Sequence, residues 1–152
     1  MLASLTIFKG IPADRLRQLA ERGRPRTFRR DEPLMRQGEL GHTMHVILAG
    51  QVAVERSHPA IVHPIQLSNL GVGEVVGEMG LLDGEPRSAT VTAVEQTETL
   101  EVERHDLEEV IIQYPAVSVA LLRVLSRRLR DTDELVERVR LQAPGAEGAV
   151  DP

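Results

Sequence analysis

The sequence has no cysteine and no tryptophan, and its aromatic residues are two phenylalanines and one tyrosine. Without cysteine, the chain can form no disulfide, no thiolate metal site and no thiol nucleophile. So few aromatic rings argue against a stacking platform for single-stranded nucleic acid. No apolar run reaches the ~18–20 residues of a membrane helix, and no signal-peptide core opens the chain. We therefore expect a cytoplasmic protein without membrane contact.

Charge and length further limit the classes of protein to which this chain can belong. The 18 Lys and Arg residues against 23 Asp and Glu residues give a formal net charge of −5. That balance argues against a broad surface for nucleic acid or membrane, because both require a basic surface. The length of 152 residues suits one domain with a buried core.

Hydrophobic periodicity divides the chain into three parts. Residues 1–23 have helical spacing, with Pro12 in a first turn and Gly23 as the stop signal. Over residues 26–103, short runs alternate apolar and polar residues between Gly and Pro turns. This pattern predicts antiparallel strands with one buried face, in a barrel or jelly roll. Residues 57–64 carry two prolines and are predicted to form a hairpin tip.

The third part is helical. A short helix over 107–112 is expected to end at Pro115, and a long helix is predicted over 115–141. On the long helix, apolar residues and one threonine recur at alternating spacings of three and four, which is typical of helix pairing. We therefore expect a homodimer through this helix. The seam residues are Leu122, Leu125, Leu129, Thr132, Val136 and Val139. Residues 142–152 are expected to be a disordered tail, which leaves 1–141 as the domain.

One glycine-rich segment, residues 77–91, combines features suited to a phosphorylated ribose. Gly77 permits close backbone approach, and Glu78 can accept hydrogen bonds from sugar hydroxyls. A short helical turn over 80–82 would present amides to an anion, while Arg87 and Ser88 offer a guanidinium and a hydroxyl to a phosphate. From the residues alone, a surface loop in which Glu78 and Arg87 pair or face solvent is equally open.

This segment resembles the phosphate-binding cassette of cyclic nucleotide-binding domains. The family pattern is Gly-Glu-(Leu/Met)-(Ala/Gly)-Leu, a short loop, and then Arg-(Ser/Thr/Ala)-Ala. This sequence has Gly-Glu-Met-Gly-Leu at 77–81 and Pro-Arg-Ser-Ala at 86–89. The resemblance extends over about residues 5–140. It implies an α+β, mainly β fold: a double-stranded β-helix (jelly-roll) β-roll with N-terminal helices and a long C-terminal helix. It also implies a sensor of cyclic AMP or cyclic GMP that needs no cofactor.

The resemblance implies individual roles as well. Glu78 would accept from the ribose 2′-hydroxyl, and Arg87 would bind the exocyclic phosphate oxygens. Thr132 matches a residue that contacts the adenine amino group, although a threonine in a heptad seam can also simply set the helix register. The other implied ligand-binding residues are Gly77, Met79, Ser88 and Ala89 in the cassette, Leu67 and Ser68 beside the base and ribose, and Arg128 and Asp133 on the long helix. Asp133 falls where a dimer partner supplies a serine in regulators of the catabolite activator type.

The sequence gives less support to metal binding, catalysis or direct nucleic-acid binding. The chain has five histidines, but His42 and His45 should lie on opposite faces of a strand, and we expect no metal site. No P-loop, nucleophile elbow or dinucleotide fingerprint is present, so we expect no enzyme. The residues after the long helix are too few for a helix-turn-helix domain, so we expect no direct nucleic-acid binding.

Two alternatives remain open at this stage. The chain could be a β-roll that has lost ligand binding and serves dimerisation or protein interaction. It could also be the sensory fragment of a longer transcription regulator. In each case the protein target is unknown.

Overall fold

The computed structural model describes residues 6–142. In this part of the chain, eight strands form a β-roll, and the N-terminal and C-terminal helices pack together against it. The elements in chain order are a 3₁₀ helix (Thr6–Phe8), α1 (Ala13–Arg22), β1 (Arg24–Phe28), β2 (Pro33–Met35), β3 (Thr43–Ala49), β4 (Val52–Arg56), β5 (Ile65–Leu70), β6 (Val75–Val76), α2 (Glu78–Asp83), β7 (Thr90–Ala93), β8 (Thr97–Glu103), α3 (Arg104–Gln113) and α4 (Ala116–Gln142).

The strands form two antiparallel four-stranded sheets. One has the order β1-β8-β3-β6 and the other β2-β7-β4-β5. Strands β4 and β5 pair through Val52↔Leu70 to Arg56↔Ile65, so the connection between them, over 57–64, is the predicted hairpin tip. Apart from β4 and β5, neighbouring strands in both sheets are distant in sequence, which is the jelly-roll arrangement that the alternation and the resemblance predict.

The middle of strand β3 in the first sheet is covered on both sides, which corrects one expectation for this strand. Met44 and Val46 pack with the helices, whereas Ile47 packs in a smaller core with residues of the second sheet. Met44 to Ile47 are therefore all buried. A strand with a helix layer on one face and a sheet on the other cannot have a solvent face, whatever its alternation suggests.

The N-terminal part, predicted to be helical over 1–23, is helical in two separate segments. Within the described residues it consists of the 3₁₀ helix and α1, and Pro12 occupies the N-cap position with an extended ψ of 143°. Gly23 does end α1, but with φ −65° and ψ 154° rather than a left-handed cap. Glycine suits position 23 for a steric reason, because a Cβ there would lie 2.7 Å from Leu100 Cδ1.

The two C-terminal helices are confirmed as α3 and α4, on either side of Pro115. The buried apolar residues of the long helix, Val117 and Leu121, lie near its start. Gln142 belongs to α4, and the rest of the predicted tail lies outside the described residues. Within residues 6–142 no single helix is long and apolar enough to cross a membrane, although α3 and α4, bent by 117°, together meet that measure of length and composition.

Candidate functional site

A cavity that is partly open to solvent lies between the second sheet, the segment 77–91 and α4. Its walls contain every predicted ligand-binding residue except Asp133. The cassette contributes Gly77, Glu78, Met79, Arg87, Ser88 and Ala89, strand β5 contributes Leu67 and Ser68, and α4 contributes Arg128 and Thr132. Residues 67 and 132 are far apart in sequence, so the fold gathers them into one site.

The cassette begins with a short helix. The predicted turn over 80–82 is confirmed, and it extends over α2, between Gly77 (φ 83°) and Gly84 (φ 73°). A Cβ on Gly77 would lie 2.8 Å from Arg87 Nη1 and 3.0 Å from the carbonyl oxygen of Thr43. Glycine therefore suits this position twice, because its φ is left-handed and its small size makes room for Arg87.

Arg87 is held inside the β-roll and is only 7% exposed. Its Nη1 donates to the carbonyl oxygen of Gly77 at 2.9 Å, and its Nη2 donates to that of Thr43 at 2.7 Å. Burial lowers the pKa of Arg87, and nearby carboxylates, Glu78 first, raise it in part; an arginine nevertheless stays protonated. These bonds use only some of its five N–H donors, so the guanidinium can still bind an anion.

The main chain around Arg87 is fixed by an earlier loop. Its N–H donates to the carbonyl oxygen of Glu39, and its own carbonyl accepts from Gly38, both at 2.8 Å. A Cβ on Gly41 would lie 2.4 Å from Arg87 Nη2, so that glycine also makes room for the guanidinium. The interpretation of residues 77–91 as a surface loop with a solvent-facing Arg87 is therefore wrong.

Glu78 connects the cassette to the long helix. This residue is 1% exposed, and Arg128 Nη1 of α4 donates to its Oε1. Arg128 Nη2 also donates to the carbonyl oxygen of Val75, the first residue of β6, the strand that leads into the cassette. Burying a carboxylate is costly unless it is paired. Arg128 thus both stabilises Glu78 and ties α4 to the cavity.

The free part of α4 carries the predicted seam. Leu122, Leu129, Val136 and Val139 are exposed, and Leu125 is half-buried. Thr132 lines the cavity, and its hydroxyl donates to the carbonyl oxygen of Arg128 at 2.9 Å. Asp133 is exposed outside the cavity of its own chain, so its role stays a prediction that depends on a dimer.

Several residues of the site are missing from the sequence-based prediction. The cavity is also lined by Met35, Val54, Leu70, Val76, Gly80, Val91 and Asp131. The apolar members belong to strands, where alternation predicts burial but not a cavity. The sequence could have predicted Asp131 at the site, because it lies three residues after Arg128 and therefore on the same helix face. Arg104 of α3 supports the cassette from outside, since its Nη2 donates to the carbonyl oxygen of Gly80 at 3.2 Å.

A buried histidine, His45, lies on strand β3 of the first sheet. His45 Nδ1 lies 2.9 Å from Thr99 Oγ1, and its ring meets Phe28 edge to face. Burial, followed by the charges of Arg87 and Arg26, lowers the pKa of His45 to about 4. The ring is therefore neutral at pH 7. In the described part of the chain, no group of three or more His, Cys, Asp or Glu residues is placed to hold a metal ion.

Comparison with known proteins identifies the family. The family model described as "Cyclic nucleotide-binding domain" matches residues 25–114, which include all eight strands except the first residue of β1. The chain belongs to the cyclic nucleotide-binding domain family. It has the fold and the cassette of a cyclic nucleotide sensor module, and the family is defined by ligand binding rather than by catalysis.

Relatives and solved structures agree with this membership. The chain is 39% identical over 108 residues to the "Cyclic AMP receptor protein" of Thermus thermophilus, covering 71% of this chain and 50% of that protein. It is 30% identical over 146 residues to the "CRP-like cAMP-activated global transcriptional regulator" of Mycobacterium tuberculosis, covering 95% and 65%. The crystal structure of the Thermus thermophilus Catabolite Activator Protein superposes with a TM-score of 0.76 at 32% identity, covering 89% of this chain and 63% of that one. The chain thus spans half to about two thirds of these proteins.

Proposed function

We propose that this chain binds a 3′,5′-cyclic nucleotide, cyclic AMP in the first place, and transmits the binding to α4. One observation carries the proposal: a single cavity joins the buried cation Arg87 and the buried carboxylate Glu78 to an apolar interior. An anionic phosphate suits Arg87 and Ser88, ribose hydroxyls suit Glu78, and a purine suits the apolar strand residues. The relatives named for cyclic AMP support this nucleotide, and no further cofactor is required.

The link between Glu78 and Arg128 provides the route for the signal. A ribose hydroxyl that donates to Glu78 shares the carboxylate on which Arg128 depends. A ligand that binds the cassette therefore changes the contact that holds the middle of α4. Because α4 has few other buried contacts, such a change can shift the helix between two positions.

We also propose a dimer and a cellular location for this module. A second copy of the chain would cover the exposed seam of α4, as the heptad spacing indicates. We place the module in the cytoplasm, as befits relatives named as transcriptional regulators. Its role there is regulatory rather than catalytic, and its target is another protein or a further part of the same protein. A β-roll that has lost ligand binding is not favoured, because the cassette is intact in sequence and its residues line the cavity.

Isothermal titration calorimetry with cyclic AMP and cyclic GMP tests the proposal. Arg87→Ala should weaken cyclic AMP binding by about 2–4 kcal/mol, because a charge-assisted contact to phosphate is lost. Arg29→Ala is the matched control, since this exposed arginine removes the same charge outside the cavity. Thermal melts without ligand show whether each variant is folded. Unchanged affinity in a folded Arg87→Ala variant, or no binding of either nucleotide by the wild type at millimolar concentration, would refute the proposal.

A further inference from the structure

The half-buried Arg104, at the start of α3, contacts the cassette helix α2 from outside the cavity. Its Nη2 donates to the carbonyl oxygen of Gly80 at 3.2 Å. The same carbonyl oxygen accepts from the N–H of Gly84, the residue that ends α2, at 3.0 Å. A Cβ on Gly84 would lie 3.6 Å from Arg104 Nη2. The guanidinium therefore lies against the carbonyl end of α2, where a cation is favourable.

The main chain of Arg104 is fixed by a second part of the site. Its N–H donates to the carbonyl oxygen of His42 at 2.9 Å. His42 directly follows the loop in which Gly38 and Glu39 bond the main chain of Arg87. Since Arg104 is also the first residue of α3, it joins α2, α3 and the loop before β3.

Stability alone does not explain an arginine at this position. The Nε of Arg104 is buried without a hydrogen-bond partner among residues 6–142. Within the same residues, no ion pair includes Arg104. A buried donor without an acceptor destabilises a fold, and a half-buried cation without a carboxylate adds to that cost. Unsatisfied groups of this kind are expected at functional positions.

The helix that Arg104 contacts carries or supports both buried charges of the cavity. The first residue of α2 is Glu78. The residue before it, Gly77, accepts from Arg87 Nη1 through its carbonyl oxygen at 2.9 Å. A Cβ on Gly80 would lie 3.5 Å from the same Nη1, so α2 lies between the guanidinium groups of Arg87 and Arg104. A change in the orientation of α2 therefore displaces Glu78 and Arg87 together.

We infer that Arg104 is a positioning residue, which holds α2 in the orientation that places Glu78 and Arg87 for the ligand. This inference rests on the proposed function and deepens it, because it names a residue that controls affinity without lining the cavity. A site that is already ordered binds its ligand more tightly, since no free energy is spent on ordering it during binding. Arg104 therefore favours ligand binding without adding to the stability of the fold.

The test separates ligand affinity from stability. Arg104→Met keeps an unbranched side chain but removes the guanidinium, and it should weaken cyclic AMP binding about fivefold in isothermal titration calorimetry. The midpoint of urea unfolding should stay unchanged or rise, because the variant also removes the unsatisfied donor. Arg104→Lys keeps a donor and a positive charge without the Nε–H group. Its affinity should therefore stay within about twofold of the wild type.

Amide hydrogen exchange of the ligand-free protein reports on α2 directly. In Arg104→Met, the amide of Gly84, which shares the Gly80 carbonyl with Arg104, should exchange about tenfold faster. The amide of Ile47, which donates to Glu74 in the β-roll, should exchange as in the wild type.

Arg17→Met is the control, because it removes the same charge from an exposed position on α1. It should change neither the affinity nor the exchange of Gly84. Unchanged affinity in Arg104→Met would overturn the inference while leaving cyclic nucleotide binding intact. A parallel loss of affinity and of the urea midpoint would overturn it as well, because Arg104 would then act through stability. If the wild type binds no cyclic nucleotide, the proposed function fails, and the exchange of Gly84 still decides whether Arg104 holds α2.

Discussion

The two walls of the cavity are built in opposite ways. On the cassette wall, Glu78 and Arg87 are buried, and backbone carbonyl groups of the β-roll hold the guanidinium of Arg87. On the α4 wall, Asp131 and Thr132 are exposed on a helix that projects beyond its buried start. The cassette wall is therefore preformed, whereas the α4 wall depends on a few attachments.

This difference indicates which wall can respond to a ligand. A buried segment held by several hydrogen bonds can move only if many contacts break together, while a helix held at two places can pivot when one of them changes. The first attachment of α4 is apolar, at Val117 and Leu121, and the second is polar, at Arg128. Weakening each attachment in turn measures how firmly the α4 wall is held.

The largest effect is expected at the apolar attachment. Leu121 is 2% exposed and its neighbour Leu122 is 64% exposed, so the pair offers a matched comparison. Leu121→Ala should lower the free energy of unfolding by about 3 kcal/mol through lost burial and a cavity. Leu122→Ala should change it by less than about 0.5 kcal/mol. Urea unfolding at a concentration at which both variants are monomeric measures this, and equal losses would show that Leu121 is no anchor.

The polar attachment at Arg128 should contribute somewhat less to the free energy of unfolding than the apolar attachment does. Arg128→Met leaves the carboxylate of Glu78 buried without its cation, which should cost about 2 kcal/mol. The cost stays below that of a fully buried pair because the Arg128 side chain is 27% exposed. The control Arg127→Met, at an exposed position, should have little effect. Adding Glu78→Gln to Arg128→Met should recover part of the loss; strictly additive losses would mean that the two residues are not coupled.

The same contrast explains how much the sequence could predict. The cassette is contiguous, so its glycines, Glu78 and Arg87 form a pattern that is visible without a structure. The seam on α4 is local as well, because helical spacing alone determines it. The support of Arg87 by Gly41 and Thr43 depends on how distant segments pack, and no local pattern specifies that. The burial of both faces of β3 likewise requires knowledge of which layers cover the sheet.

Behind the cassette wall, the buried His45 makes stability depend on pH. Its pKa of about 4 in the folded state lies below the ordinary value of 6.5, so between these values the unfolded chain binds more protons. The contribution of His45 to the free energy of unfolding is therefore complete above pH 7. It falls as the pH decreases, by roughly 2 kcal/mol between pH 7 and pH 5. This part of the pH dependence should be absent in His45→Leu and retained in His63→Gln, an exposed control. Urea unfolding at both pH values tests it, and an identical pH dependence in His45→Leu would contradict it.

The smallest effect on the fold, and a decisive one for assembly, is expected on the free face of α4. Leu129 is 63% exposed, so Leu129→Lys should change the unfolding free energy of the monomer by less than about 0.5 kcal/mol. If the seam pairs two copies, the same substitution buries a charge in the pair and should shift the mass by light scattering from dimer to monomer. Glu134→Lys adds a lysine on the outer face of α4 and should leave the mass unchanged. A wild type that is monomeric at ~100 μM would refute pairing through the seam. The α4 wall would then have to respond to its ligand within a single chain, with Arg128 as its main polar attachment.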